Sequence, residues 1–216
     1  CRSSGHRDTS PCHHDEVARP LDTPDPLGDF ERRSVTFDDW TITTHIAGAG
    51  PAVIVMTEIP GITPEVARFA RWVREAGFTV WMPSLFGDDG VPGSRERAQA
   101  VFATPCVRRE FEAFAAGGPS PMVSWLRQLA SHAHHECGGP GVGAIGMCFT
   151  GDFALGMMLA ASMLAPVMSQ PSMPLDDLHD TWVRNDEMSR IRERLDREDL
   201  TVRAYHFEGD KYCPRA

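Results

Sequence analysis

The sequence predicts an α/β fold, a mostly parallel, doubly wound sheet with helices on both faces. Three observations carry this. Apolar runs of strand length alternate with helix-period segments from Ser34 onward, with no internal repeat or low-complexity tract between them. Val53 to Met56 is β-branched and apolar on both sides, as a central parallel strand is. Val142 to Met147 runs without a polar linker into a helical pattern, with Cys148 at the corner.

Residues 1–33, rich in Pro, Asp, His and Arg, hold too little apolar content to pack and read as a flexible lead-in to one domain spanning 34–216. Within it Cys12-His-His-Asp-Glu16 sets potential ligands side by side rather than at the spacings of zinc sites, so no metal is expected. Ser34–Phe37 and Trp40–Ile46 alternate as a hairpin turned by Asp38-Asp39. After Val53–Met56 comes a helix, Pro64–Glu75, closed by Ala76-Gly77, and then a strand, Phe78–Met82. Pro83–Ser94 reads as a loop, and Val101–Ala115 and Met122–His135 as helices separated by Gly117-Gly118-Pro119. Next come a helix over Phe149–Ala161, a strand over Met163–Met168 and a helix with alternating charges over Arg184–Arg197. The last strand starts at Val202 and leads to Gly209-Asp210.

Composition narrows the class. The chain has 216 residues, 42% hydrophobic and 24% charged, and no apolar run near the roughly 18 residues of a membrane span. A formal charge of -9 disfavours nonspecific nucleic-acid binding, which needs Lys and Arg against phosphates. Six cysteines without a C-x-x-C pair point to a reducing cytoplasm, and no signal-peptide pattern opens the sequence.

The chemistry concentrates at the corner. A side chain on a sharp strand-to-helix turn is held out for reaction, provided small residues flank it, and Gly146 and Gly151 do so while Thr150 is a tolerable compromise. The Phe149 amide and the positive end of the adjoining helix would face a developing oxyanion, and the same helix end would lower the thiol pKa of Cys148. The alternative for Cys148 is a small buried hydrophobe. Two other segments end strands with carboxylates: Thr57-Glu58-Ile59-Pro60-Gly61 and Glu208-Gly209-Asp210-Lys211-Tyr212. Glu58, Cys148 and Asp210 thus fall on the edge where open α/β sheets bind ligands.

Together, the Gly-Met-Cys-Phe-Thr-Gly corner and these two turns resemble the dienelactone hydrolase (carboxymethylenebutenolidase) family of α/β-hydrolases, over Ala52 to the C-terminal end. The resemblance implies that Cys148 is the nucleophile, that Asp210 orients a catalytic histidine, and that Glu58 contacts the resting cysteine and helps deprotonate it. It implies an oxyanion hole from the Ile59 and Phe149 amides and no cofactor. Phe86, Arg95 and Arg97, on or beside the Pro83–Ser94 loop, are candidate substrate contacts. The implied activity is hydrolysis of small esters or lactones through an acyl-enzyme.

In one respect the sequence departs from the family. The histidine belongs after Asp210, with a further strand and a terminal helix, yet only six residues come after that aspartate. The sequence therefore reads as a fragment, poorly active as it stands. Its nine histidines offer no substitute: His206 reads as packed in the last strand, His132, His134 and His135 as the solvated end of a helix, His45 as part of an early strand, and His179 as part of an acidic loop. Another class stays open, a non-catalytic ligand sensor on the same fold or a redox-sensing thiol with Cys213 as its resolving partner. The identity of the ester or lactone and the oligomeric state are not legible.

Overall fold

The computed structural model describes residues 20–105, 107, 110, 120–172, 181 and 183–210. The N-terminal residues 1–19 with the Cys12–Glu16 run, most of 106–119, His179 and Cys213 lie outside the described residues.

Seven strands form one sheet: β1 (Glu31–Phe37), β2 (Trp40–Gly48), β3 (Ala52–Met56), β4 (Thr79–Pro83), β5 (Val142–Met147), β6 (Met163–Ser169) and β7 (Arg203–Tyr205). Their order is β1-β2-β4-β3-β5-β6-β7. The β1/β2 and β2/β4 pairs are antiparallel and all others are parallel. In β3, Ala52, Ile54 and Met56 face one core while Val53 and Val55 face the other, which is why that strand reads as apolar throughout.

Helices cover both faces. Helix α1 (Pro64–Glu75) buries Val66, Ala67 and Ala70 on one side. Thr63 caps it and proline occupies its first turn, the two signals that mark its start in the sequence. On the other side lie α3 (Pro121–Cys137), with Trp125, Leu126 and Leu129 inward, and the short α4 (Gly151–Gly156). The mostly parallel, doubly wound α/β architecture expected from the sequence is the one observed, with the chain's β1–β2 hairpin as an antiparallel edge.

Several local expectations change. The lead-in is packed from Asp25: Leu27 and Phe30 are buried, and the Arg71 guanidinium of α1 holds the buried Asp25 at 2.6 Å and Asp29 at 2.7 Å. Helix α2 is Arg95–Phe102, starting at a Ser94 cap rather than at Val101. The helix expected over Phe149–Ala161 is broken into a 3-10 turn (Cys148–Thr150), α4 and a second 3-10 turn (Met157–Leu159). Arg194 explains the early end: its buried guanidinium donates to the carbonyls of Met158, Ala160, Ala161 and Met163, satisfying acceptors that a continued helix would have used. Arg194 belongs to α5 (Asn185–Glu198), whose charges read as a solvated face, yet Ile191 and Arg194 are both buried. Strand β7 has only three residues, all exposed, and Asp210 lies beyond it in a turn closed by its own N–H to the Phe207 carbonyl at 3.1 Å.

Candidate active site

Strand β5 delivers Cys148 in a left-handed backbone conformation, φ 51°, one residue after Met147 in extended geometry. A non-glycine residue in this region costs about 1–2 kcal/mol and persists only where its surroundings enforce it. Gly146 supplies the room, since a Cβ there would stand 2.0 Å from the Thr150 carbonyl oxygen. Thr150 supplies the hold: its hydroxyl oxygen accepts the Met147 N–H at 2.8 Å. The carbonyls of Met147 (3.0 Å), Met56 and Thr57 (both 3.2 Å) surround its single proton.

The thiol is half-buried, and its pKa is pushed up rather than down. Burial is the main cause, and the Glu58 charge adds to it, with a smaller push from Asp210. Hydrogen bonds from the Phe149 backbone and the Ser172 side chain act the other way without prevailing. The expected lowering by a helix end is therefore corrected. Cys148 opens onto a single 3-10 turn and a six-residue helix, too short a dipole to outweigh two carboxylates and desolvation.

Glu58 comes after β3 in a turn closed by the Gly61 N–H on the Glu58 carbonyl at 2.9 Å, with the Thr57 hydroxyl donating to the Gly61 carbonyl and a cis Ile59–Pro60 bond. Its own pKa is raised, chiefly by burial and then by Glu65. Both Glu58 and Asp210 lie near enough for their charges to act on the Cys148 sulfur, so the three residues singled out from separate segments converge.

The remaining candidates differ. Phe149 is buried, its ring centroid 5.2 Å from Phe153 and 6.1 Å from Phe86. Phe86 is only 3% exposed and packs beside the elbow through that ring contact. Arg95 is exposed at the start of α2. The Arg97 guanidinium is committed to the carbonyls of Val91, Pro92 and Asp88, clamping its own loop. That loop interlocks with the Glu58 turn: a Cβ on Gly61 would lie 2.2 Å from the Phe86 carbonyl oxygen, one on Gly87 2.3 Å from that of Pro60, and Gly90 N–H reaches the Ile62 carbonyl at 2.6 Å.

Among the described histidines, His45 is buried with Nε2 2.9 Å from Asp89, whose other oxygen accepts the Ser84 hydroxyl. His132 lies on α3 beside Glu136 and against Trp81. His206, expected to pack within the strand, is exposed just past β7. Sequence reading missed the Thr150 bridge, the Arg97 clamp and the Ser84-Asp89-His45 chain, because each joins a polar side chain to backbone or to a distant segment and leaves no spacing pattern. A cavity of about 560 Å³, lined by Phe37, Trp40, Pro105, Pro121 and Trp125, includes none of the elbow residues. Among the described residues no group of three or more His, Cys, Asp and Glu side chains is placed to share a metal ion, and no helix is long and apolar enough to cross a membrane.

Comparison with known proteins gives one family match: the model described as the dienelactone hydrolase family covers residues 40–170. No curated protein matches the chain. Among solved structures, a protein assigned as a dienelactone hydrolase from Klebsiella pneumoniae aligns over 82% of this chain and 83% of its own, with a TM-score of 0.51 and 14% identity. A dienelactone hydrolase-like promiscuous phosphotriesterase from metagenomic libraries aligns over 82% of each chain, with a TM-score of 0.47 and 18% identity. At 14% identity the likeness to the Klebsiella pneumoniae protein is one of fold.

Proposed function

Because the chain belongs to the dienelactone hydrolase family, whose α/β-hydrolase fold it adopts, we propose that it hydrolyses small carboxylic esters or lactones with Cys148 as nucleophile. The observation that carries the reading is the convergence on one strained corner of a half-buried thiol and two carboxylates whose charges bear on its sulfur. A nucleophile at such a corner is activated by an adjacent base. Glu58 fits that role: burial raises its pKa toward that of the thiol, which makes it a better matched proton acceptor than an ordinary carboxylate.

Acyl transfer begins when the Cys148 proton passes to Glu58 and the sulfur forms a bond to the substrate carbonyl carbon. The Ile59 and Phe149 amides hold the resulting oxyanion, an arrangement worth about 10²–10³ in rate per donor. The C–O bond then breaks, leaving a thioester on Cys148, and the alkoxide takes the proton held by Glu58 and departs as the alcohol; in a lactone the alcohol stays tethered. Water hydrolyses the thioester and restores the thiol. Asp210 orients the histidine that serves this second half, which the family resemblance puts after Asp210 in sequence. Arg95 is the remaining candidate for contacting an anionic substrate.

The test is acylation. Incubation with p-nitrophenyl acetate and with small lactones, then intact mass and peptide mapping, should yield one acyl group on Cys148 and none on a Cys148→Ala variant. Saturable ligand binding without an adduct would instead support a sensor.

A further inference from the structure

The sheet stops short of the site. The β3/β5 ladder ends at the Met56–Gly146 pair, and the two proposed oxyanion donors, Ile59 and Phe149, each lie three residues past it, on separate turns. Beyond that pair no strand pairing fixes how far apart the turns stand. The Thr150 hydroxyl bridges the gap. It is fully buried, it accepts the N–H of Met147 next to the nucleophile, and its one proton faces the carbonyls of Met56 and Thr57, the two residues before Glu58. The Met147 carbonyl shares that proton from the elbow side.

We propose that Thr150 is a positioning residue for acyl transfer: its hydroxyl continues the β3/β5 ladder by one side-chain link and so sets the separation of the two oxyanion donors. The inference rests on the acyl-transfer reading above. It makes residue 150 more than a small side chain tolerated behind the elbow, because glycine or alanine would fit the space without making the link. The Thr150 hydroxyl touches backbone rather than sulfur, so its loss reaches the thiol only through the Met147 N–H on the elbow side, whereas the oxyanion donors lose the link between their two turns.

Two reactions separate these roles. Acylation by p-nitrophenyl acetate needs thiol and oxyanion hole together, whereas alkylation by iodoacetamide attacks a saturated carbon and needs only the thiol. Thr150→Val keeps the volume and removes the hydroxyl, Thr150→Ala removes it with less crowding, and Thr150→Ser keeps it. A displacement of reacting groups by about 1 Å can cost a hundredfold, so Val and Ala should lose roughly tenfold to a hundredfold in the p-nitrophenol burst rate. Alkylation should stay within about threefold, and Ser should acylate close to the parent. Circular dichroism monitors folding, and if Val does not fold, Ala carries the comparison. Equal burst rates in all variants, a Ser variant as slow as Ala, or a parallel fall in alkylation and acylation would each overturn the positioning role. A parent protein that is alkylated but never acylated overturns the acyl-transfer reading itself, and the role of Thr150 with it.

Discussion

Two clusters of acidic side chains in this molecule receive opposite treatment. At the N-terminal anchor, Asp25 and Asp29 meet the guanidinium of Arg71, and Arg74 adds a second cation at 2.7 Å from Asp29. The Arg71 hydrogen bonds hold the Asp29 carboxyl well below the usual carboxylate range, and Arg71 is in turn raised above its own. At the elbow, Glu58 is shifted upward by burial and by Glu65, and it pushes Cys148 up in turn. The anchor is charge-matched and holds the chain together. The elbow concentrates like charge around an acid that must lose its proton, which is costly for stability and useful for chemistry.

The sharpest challenge to this contrast is deletion of the proposed nucleophile. Cys148→Ala should lower acylation by about 10⁴-fold or more, read from the p-nitrophenol burst, while leaving the denaturation midpoint nearly unchanged. Next comes Arg71→Met, which leaves the buried Asp25 without its guanidinium. It should cost about 3–5 kcal/mol in chemical denaturation, with acylation per folded molecule retained.

A smaller effect, near 1–2 kcal/mol, is expected for Asp29→Asn, since its carboxylate is partly exposed. Its pH signature is diagnostic. A carboxyl lowered in the folded state stabilises above its unfolded pKa, and that contribution fades as pH falls through the carboxylate range below about 4. Asp29→Asn should therefore flatten the stability profile there, and a profile as steep as the parent's would remove Asp29 from the account. The smallest stability change belongs to Glu58→Gln and should have the opposite sign. Glu58 is raised in the folded state, so its favourable contribution is lost as pH rises through the carboxylate range. The neutral variant should be as stable as the parent or more so at pH 7. Its thiol pKa should fall, read from the pH midpoint of iodoacetamide alkylation, as one cause of the raised value is gone, while acylation at pH 7 should slow by about a hundredfold or more for want of the proton acceptor.

The sequence made the sheet legible where signals are local. Thr63, Pro64 and Gly77 bracket α1, and the two-sided β3 and the glycine-flanked corner stand out in the same way. The convergence of Glu58, Cys148 and Asp210 came from strand ends sharing one edge. Features set by distant pairing escaped. Leu27 and Phe30 are too sparse to form a pattern until Arg71 pins Asp25 and Asp29 beneath α1. Arg194 looks solvated until the carbonyls at the end of the preceding helical segment are seen to need it. The direction of the Cys148 shift depended on burial and on charges more than 60 residues away, against which a local helix end counted for little.

The backbone-to-backbone fit of Gly61 on Phe86 and Gly87 on Pro60 also bears on redesign. Libraries aimed at new substrate scope commonly randomise whole loops beside a nucleophile. Here that approach would dismantle the Glu58 turn as well, because the Pro83–Ser94 loop fits against it backbone to backbone and is tied by Arg97. Diversity belongs at the exposed Asp88 and Arg95, and the two glycines and Arg97 are best left fixed.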